Sequence, residues 1–306
     1  MTTIDRSLLE QIETIGAIVE LDDRFAVQVT GADAERYLNG QVTNDVSLAT
    51  PEKAIYACVT NAKGQLESDA WISRTLDGNG FLVDAHSSVA DILPSRLERY
   101  AIADDVEFQT LNPRPRLHRI DPTGTASEQG VKAMRFGIGG IDLDPGTPIA
   151  DSLPSIDLAT AQALGVLCEV PRWGAELIAG LLPPEARIEE RAISYEKGCY
   201  IGQEVISRIR RAGRTNRLLC TLHGEVGAIS GDVADLVGAE LFDPEEMTGK
   251  SVGQITSAAI DPRLDHLVAL AYVKVRYLSA GEKLLQTAES TAGFSRTSLR
   301  IHSPAH

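Results

Sequence analysis

The sequence predicts an α+β protein, mixed helix and strand through its first two thirds and all β in its last third. Three observations predict this. Amphipathic and alternating stretches interleave as far as the arginine-rich segment at 208–217. Beyond it the apolar runs are strand-like, with loop-rich acidic sequence between them. The 306 residues, 43% hydrophobic, supply more core than one ordinary domain needs. The expected organisation is residues 1–215 as a mixed region of two interleaved subdomains and 216–306 as a β module.

Each element has its own reason. Ser7–Glu20 places Leu8, Leu9, Ile12 and Ile15 at helical spacing. Asp22–Thr30 alternates through Phe25, Val27 and Val29 like a strand. Gly31–Leu38 is a short helix opened by Asp33. Lys53–Thr60 and Gln65–Ser73 are strands around the turn Asn61–Gly64, and Gly80–Ala85 is a third strand. Ser87–Tyr100 has helical apolar spacing that Pro94 breaks or kinks. Val106–Leu111 is strand-like, and Asn112–Pro154 consists of short strands and loops. Asp157–Leu164 is a helix stopped by Gly165. A short helix runs from Gly202 to about Gly213, and strands occupy Leu218–Leu222, Ser251–Ala259 and His266–Leu278.

The formal charge is −14, which disfavours broad adhesion to nucleic acid or an anionic membrane. No apolar run approaches the ~20 residues of a membrane span, and the acidic start lacks a signal-type pattern. The expectation is a soluble cytoplasmic protein. Cys58, Cys168, Cys199 and Cys220 form no CxxC pair and lack histidines at zinc-ligand spacing, so no intrinsic metal site is expected. Cys58, Cys168 and Cys220 have apolar neighbours and read as small hydrophobes, and Trp71 and Trp173 as core or ligand-wall residues. The Phe136–Gly140 segment is no dinucleotide fingerprint, because its third glycine is misplaced.

Chemistry concentrates in Ser194–Val205. Glu196, Lys197, Cys199, Gln203 and Glu204 fall within nine residues, with Gly198 and Gly202 freeing the backbone around the thiol. Cys199 lies just ahead of a helix N-terminus, where the dipole favours a thiolate, and Lys197 adds a cation. The bland alternative is a tight turn with an inert cysteine. Arg208, Arg210, Arg211, Arg214 and Arg217 then place five guanidinium groups in ten residues of an acidic chain. They suit bidentate binding of carboxylate or phosphate, against the ordinary alternative of a solvated helix face.

These residues carry a family resemblance. Lys197-Gly-Cys-Tyr-Ile-Gly-Gln-Glu204 matches the K-G-C-[FY]-x-G-Q-E signature of YgfZ-type proteins at every position. Tyr37-Leu-Asn-Gly-Gln-Val-Thr-Asn-Asp-Val46 resembles the F-L-x-G-Q-x-T-N-D-V segment that family shares with the glycine-cleavage T-proteins. Gly165–Glu176 is similar to its G-I-P-R-x-G-x-E segment, with Val170 for Ile, and Leu182-Pro-Pro-Glu185 follows in order.

The resemblance implies a T-protein-like folate-binding fold of mixed α/β subdomains around a central channel, with a C-terminal β-barrel. It implies tetrahydrofolate or a derivative as cofactor. Glu196 matches the glutamate that grips the pterin, since a carboxylate suits two adjacent N–H donors. Gln41, Thr43, Asn44 and Asp45 are expected at the pterin or along the channel, where ordinary turn and cap roles compete. Lys197 and the arginines, Arg208 and Arg214 among them, are expected at the folate, its glutamyl tail or an anionic partner.

Glu67 stands where T-proteins carry a catalytic aspartate, and Asp69 falls out of that register. The longer side chain weakens an aminomethyltransferase reading. The resemblance therefore implies a folate-dependent accessory factor for assembly or repair of iron–sulfur proteins, not a classical enzyme. Its partners would be folate and iron–sulfur assembly or client proteins. Cys199 would be its redox-sensitive or partner-contacting thiol, and the monomer is the default. A folate-dependent one-carbon transferase is the alternative, and RNA contact through Arg208–Arg217 is a weaker third.

Overall fold

The computed structural model describes residues 4–149, 152–213, 215–225, 232–245, 249–278, 284–287 and 298–302. Six helices appear among them: α1 (Arg6–Ile15), α2 (Ala34–Gln41), α3 (Leu93–Glu98), α4 (Leu158–Leu167), α5 (Glu189–Ala192) and α6 (Gln203–Ala212). The strands of the mixed region are β1 (Ala17–Leu21), β2 (Arg24–Thr30), β3 (Ile55–Thr60), β4 (Leu66–Arg74), β5 (Gly80–His86), β6 (Glu107–Leu111), β7 (Arg116–Ile120), β8 (Val131–Lys132), β9 (Gly140–Leu143) and β10 (Ser155–Ile156). Six more follow: β11 (Arg217–Glu225), β12 (Glu240–Phe242), β13 (Gly253–Asp261), β14 (His266–Lys274), β15 (Leu284–Thr287) and β16 (Ser298–His302).

Two five-stranded sheets form the mixed region, in the orders β10-β1-β7-β9-β8 and β3-β4-β5-β2-β6. The last six strands pair in the order β11-β14-β13-β12-β15-β16, and β11 and β16 also pair with each other. One apolar core lies under α2 and α3 on the second sheet, with Phe25, Leu38, Val59, Ile72 and Leu97. Another joins α1, β1 and α4 to Leu219, Val268, Leu270 and Tyr272 of the C-terminal strands. A third lies among the C-terminal strands, with Leu222, Leu241, Ile255, Ala269 and Leu299.

Most expected elements stand where the residue pattern places them, and the differences have local causes. The helix expected over Ser7–Glu20 stops at Ile15. Gly16 takes φ 94°, and a Cβ there would come within 2.0 Å of the Ile120 carbonyl oxygen. The freed segment becomes β1, which pairs with β7 and β10. Helix α4 runs through Gly165 to Leu167, since an isolated helical glycine costs only about 1 kcal/mol. Asp157 caps it, accepting from the Thr160 amide at 2.7 Å. In the Ser87–Tyr100 stretch, Pro94 sits in the first turn of α3, where its missing N–H does no harm. Helix α2 extends to Gln41, so the Gly40-Gln41 pair ends a helix instead of opening a turn.

Among the described residues, no helix is long and apolar enough to cross a membrane.

Candidate functional site

Strands β1 to β4 wall a cleft with a cavity of about 100 Å³ that opens to solvent. Pairing sets its floor. Tyr56 on β3 lies opposite Trp71 on β4, and Cys58 opposite Asp69, so Tyr56, Asp69 and Trp71 share one face. The Tyr56 and Trp71 rings pack with centroids 5.0 Å apart. The segment after α4 adds Pro171, Arg172 and Trp173, α5 adds Arg191, and the link between β8 and β9 adds Arg135 and Phe136.

Asp69 is the chemical centre of this floor. It is 9% exposed, and its Oδ2 accepts from the Tyr56 hydroxyl at 2.8 Å. Its Oδ1 is buried and has no hydrogen-bond partner. Burial holds the carboxyl above the ordinary aspartate range, although Arg24 and Arg135 pull the other way. Burial, and then Asp69 itself, push the Tyr56 phenol up.

Behind the floor lies a buried ionic network that ties the two sheets together. Arg135 donates from Nη2 to Asp142 on β9 at 2.5 Å and to Asp84 on β5 at 2.8 Å. Arg24 donates to Asp84 at 2.5 Å, and His118 Nδ1 lies 2.8 Å from Asp142. Burial works against these charges, but the pairing outweighs it, so Arg135 is raised and Asp142 lowered. The Arg135 guanidinium also stands 5.5 Å from the Trp71 ring centre, and that of Arg191 5.5 Å from Tyr56. The cleft is therefore aromatic and cationic around one under-bonded carboxyl group. A second groove shares Pro171 and Arg191 with it and adds Arg187, Tyr195 and Arg210.

No family model matches the chain. Over 241 residues it is 28% identical to the "tRNA-modifying protein YgfZ" of Escherichia coli O127:H6 (strain E2348/69 / EPEC), covering 69% of this chain and 73% of that protein. The protein of the same name from Klebsiella pneumoniae (strain 342) is 28% identical over 240 residues, with the same coverage. The glycine cleavage system aminomethyltransferase T from Bartonella henselae superposes with a TM-score of 0.77, over 97% of this chain and 88% of that one, at 20% identity. The chain is similar in sequence to YgfZ-type proteins and has a T-protein-like fold.

Of the motif segments only Val170-Pro-Arg-Trp173 lines the cleft, and none of the candidate site residues expected from the sequence does among those described. Glu196 and Cys199 are exposed and do not line it. Thr43 is fully buried, donating to the Ala192 carbonyl at 2.6 Å and accepting from the Cys58 amide at 2.9 Å. Asn44 donates to the carbonyls of Tyr56 at 2.8 Å and Arg191 at 3.1 Å. Asp45 caps the short helical turn Val46–Leu48. All three side chains bond within the protein, and Asn44 holds two cleft residues from behind.

Gln41 accepts from Arg96 Nη1 at 2.9 Å and lines a separate, more open hollow with Tyr100 and Tyr200. Lys197 bonds three backbone carbonyls, and Arg208 forms an exposed pair with Glu204 at 2.8 Å. Arg214 lies outside the described residues.

Glu67 and Asp69 exchange their expected places. The β3–β4 ladder passes from Val59↔Ser68 to Thr60↔Leu66, which leaves Glu67 in a bulge. Glu67 there accepts from Arg96 Nε at 2.5 Å, outside the cleft, and Asp69 faces in. Arg135 and Arg191 belong to no motif. They reach the cleft only because elements distant in sequence meet there. Trp71 and Trp173, read as core or ligand-wall residues, both line the cleft.

Proposed function

We propose that the cleft binds a reduced folate, and that this chain is a folate-dependent accessory factor in the assembly or repair of iron–sulfur proteins. The observation that carries the reading is the buried Asp69 carboxyl, one oxygen unpartnered, between aromatic walls. A pterin ring suits these residues: it presents flat faces to Trp71 and Tyr56 and adjacent N–H donors to an under-bonded carboxylate. Arg191, shared with the second groove, leads toward Arg187 and Arg210, which suit the anionic glutamyl tail. The ring of C-terminal strands, read as a closed barrel, backs that groove with Leu218–Thr221. Bound folate would supply a carrier for a one-carbon unit.

Cys199, exposed and away from the cleft, is read as the group that meets a partner protein. The relatives' name ties them to tRNA modification. With a net charge of −14, this chain is read as acting on a protein of that process, not on the RNA itself.

A second reading, folate-dependent aminomethyl or other one-carbon transfer, has one observation in its favour: Asp69 faces the cleft with its acidity weakened by burial, as a proton-holding group would. Turnover of a small amine donor with tetrahydrofolate, lost in Asp69→Asn and kept in Glu67→Gln, would establish it.

Calorimetric titration with 5-formyltetrahydrofolate tests the main reading. Wild type is expected to bind. Asp69→Asn loses a charge-assisted bond of about 1.5–3 kcal/mol, or about 10- to 150-fold in Kd. Glu196→Ala, altered outside the cleft, stays within about twofold. No binding by wild type, or unchanged affinity in Asp69→Asn, overturns the assignment of the cleft.

A further inference from the structure

The two long motifs, far apart in sequence, are joined by one side chain. Lys197 Nζ donates to the backbone carbonyls of Asn39 at 2.6 Å, Val42 at 2.8 Å and Asn44 at 2.8 Å. These carbonyls belong to the end of α2 and the turn that follows it. A helix C-terminus leaves carbonyls unpaired and carries partial negative charge, which offsets part of the cost of burying a cation there. An ammonium has three donors, and all three are used.

Converging carbonyls around one point suit a tetrahedral ammonium. A planar guanidinium presents a fork, and an amide has too few donors. Asp45 is the charged group acting on this ammonium, and the Tyr200 ring centre lies 5.3 Å from it. Backbone bonds tie the flanks to the same segment: the Ser194 amide donates to Thr43 O at 3.0 Å and the Ile201 amide to Gly40 O at 3.1 Å. Between these flanks the chain exposes Glu196, Gly198 and Cys199.

The same turn faces the cleft from its other side. Asn44, whose carbonyl receives Lys197, donates its own side chain to the carbonyls of Tyr56 and Arg191, both cleft residues. We propose that Lys197 is a positioning residue that fixes the exposed Cys199 turn to the cleft wall through Asn44, so that the thiol and the cleft move as one piece. Lys197 then binds neither ligand nor partner. Its part is to set where the thiol is presented.

The test is the rate of Cys199 alkylation by iodoacetamide, read by mass spectrometry on the peptide that carries it, with the half-buried Cys168 as internal reference. Lys197→Met is expected to change the Cys199 rate at least about fivefold with the Cys168 rate unaltered, and Lys197→Arg is expected not to restore it. Asn44→Ala is expected to change it at least about threefold from the cleft side. Because both act on one connection, the double variant should match the larger single effect and not their product. A Cys199 rate in Lys197→Met equal to wild type, full restoration by arginine, or effects that multiply would each overturn the proposal.

Hydrogen exchange on the unaltered protein gives a second arm that no folding defect can obscure. The Ser194 and Ile201 amides should exchange at the rate of the last-turn amides of α2. Exchange a hundredfold faster would show that the turn is not held, and would overturn the proposal.

Discussion

Burial moves the acidity of Asp69 and Lys197 in opposite directions, and both shifts are measurable. The Asp69 carboxyl is raised, so its contribution to stability is fully present in acid and is lost as pH rises through its folded-state value. Asp69→Asn removes that loss. The variant should therefore be more stable than wild type at neutral pH and not at pH 3, as chemical denaturation at the two values would show, while its affinity for folate falls. Gain of stability with loss of binding is the pattern of a strained ligand site.

Lys197 is pushed down by burial from 10.5 to about 8, with Asp45 pulling weakly the other way. Between about pH 8 and 10.5 the unfolded lysine still holds a proton that the folded one has released, so this residue makes stability rise with pH in that window. Lys197→Met should lack this rise, and equal slopes in both proteins would refute the buried-ammonium geometry.

Single backbone positions decide how elements meet. Gly202 opens α6 with φ 89°, and a Cβ there would lie 2.7 Å from Asn61 O and 2.8 Å from Thr60 Oγ1. The signature helix therefore rests directly on the β3–β4 turn. Thr60 Oγ1 completes the joint by donating to Ile201 O at 2.6 Å. Gly202→Ala meets both the conformational penalty and this clash, and is expected to lower stability by about 2–3 kcal/mol in urea denaturation. Gly213→Ala, also at positive φ but with open space where the Cβ would go, carries the conformational penalty alone and should cost less. In β4 it is the bulge at Glu67 that turns one acid toward Arg96 and the next toward the cleft. A strict two-residue alternation from Leu66 does not reveal it.

At the scale of the molecule, the boundary at residue 215 separates textures, but one of the three cores crosses it. Leu219, Ala259, Val268, Leu270 and Tyr272 share a cluster with Leu9, Ile12, Leu164 and Val166. Tyr272 donates to the Glu176 carbonyl at 3.0 Å, and Arg263 pairs with Glu13 at 2.7 Å. Burial at this seam is of the kind that couples folding units. Differential scanning calorimetry is expected to show one cooperative transition for the whole chain, and residues 1–215 alone are expected not to fold stably. Two separated transitions would show that the regions fold as independent domains.

What the residues alone determined is local or carried by unbroken motifs. The strands β2 to β5, the helix between Gly202 and Gly213 and the change to β texture after residue 217 follow from periodicity and from glycine and proline chemistry, which act over a few positions. The YgfZ resemblance was legible because eight consecutive residues match it. Tertiary structure alone decided which side chains share a space. Thr43, Asn44 and Lys197 turned out to bond backbone carbonyls far along the chain, because buried backbone acceptors must find donors wherever the fold brings them. The cleft was assembled from Asp69, Arg135, Trp173 and Arg191, which no local pattern joins, since proximity in a folded chain is set by sheet packing and by a one-residue bulge, not by spacing.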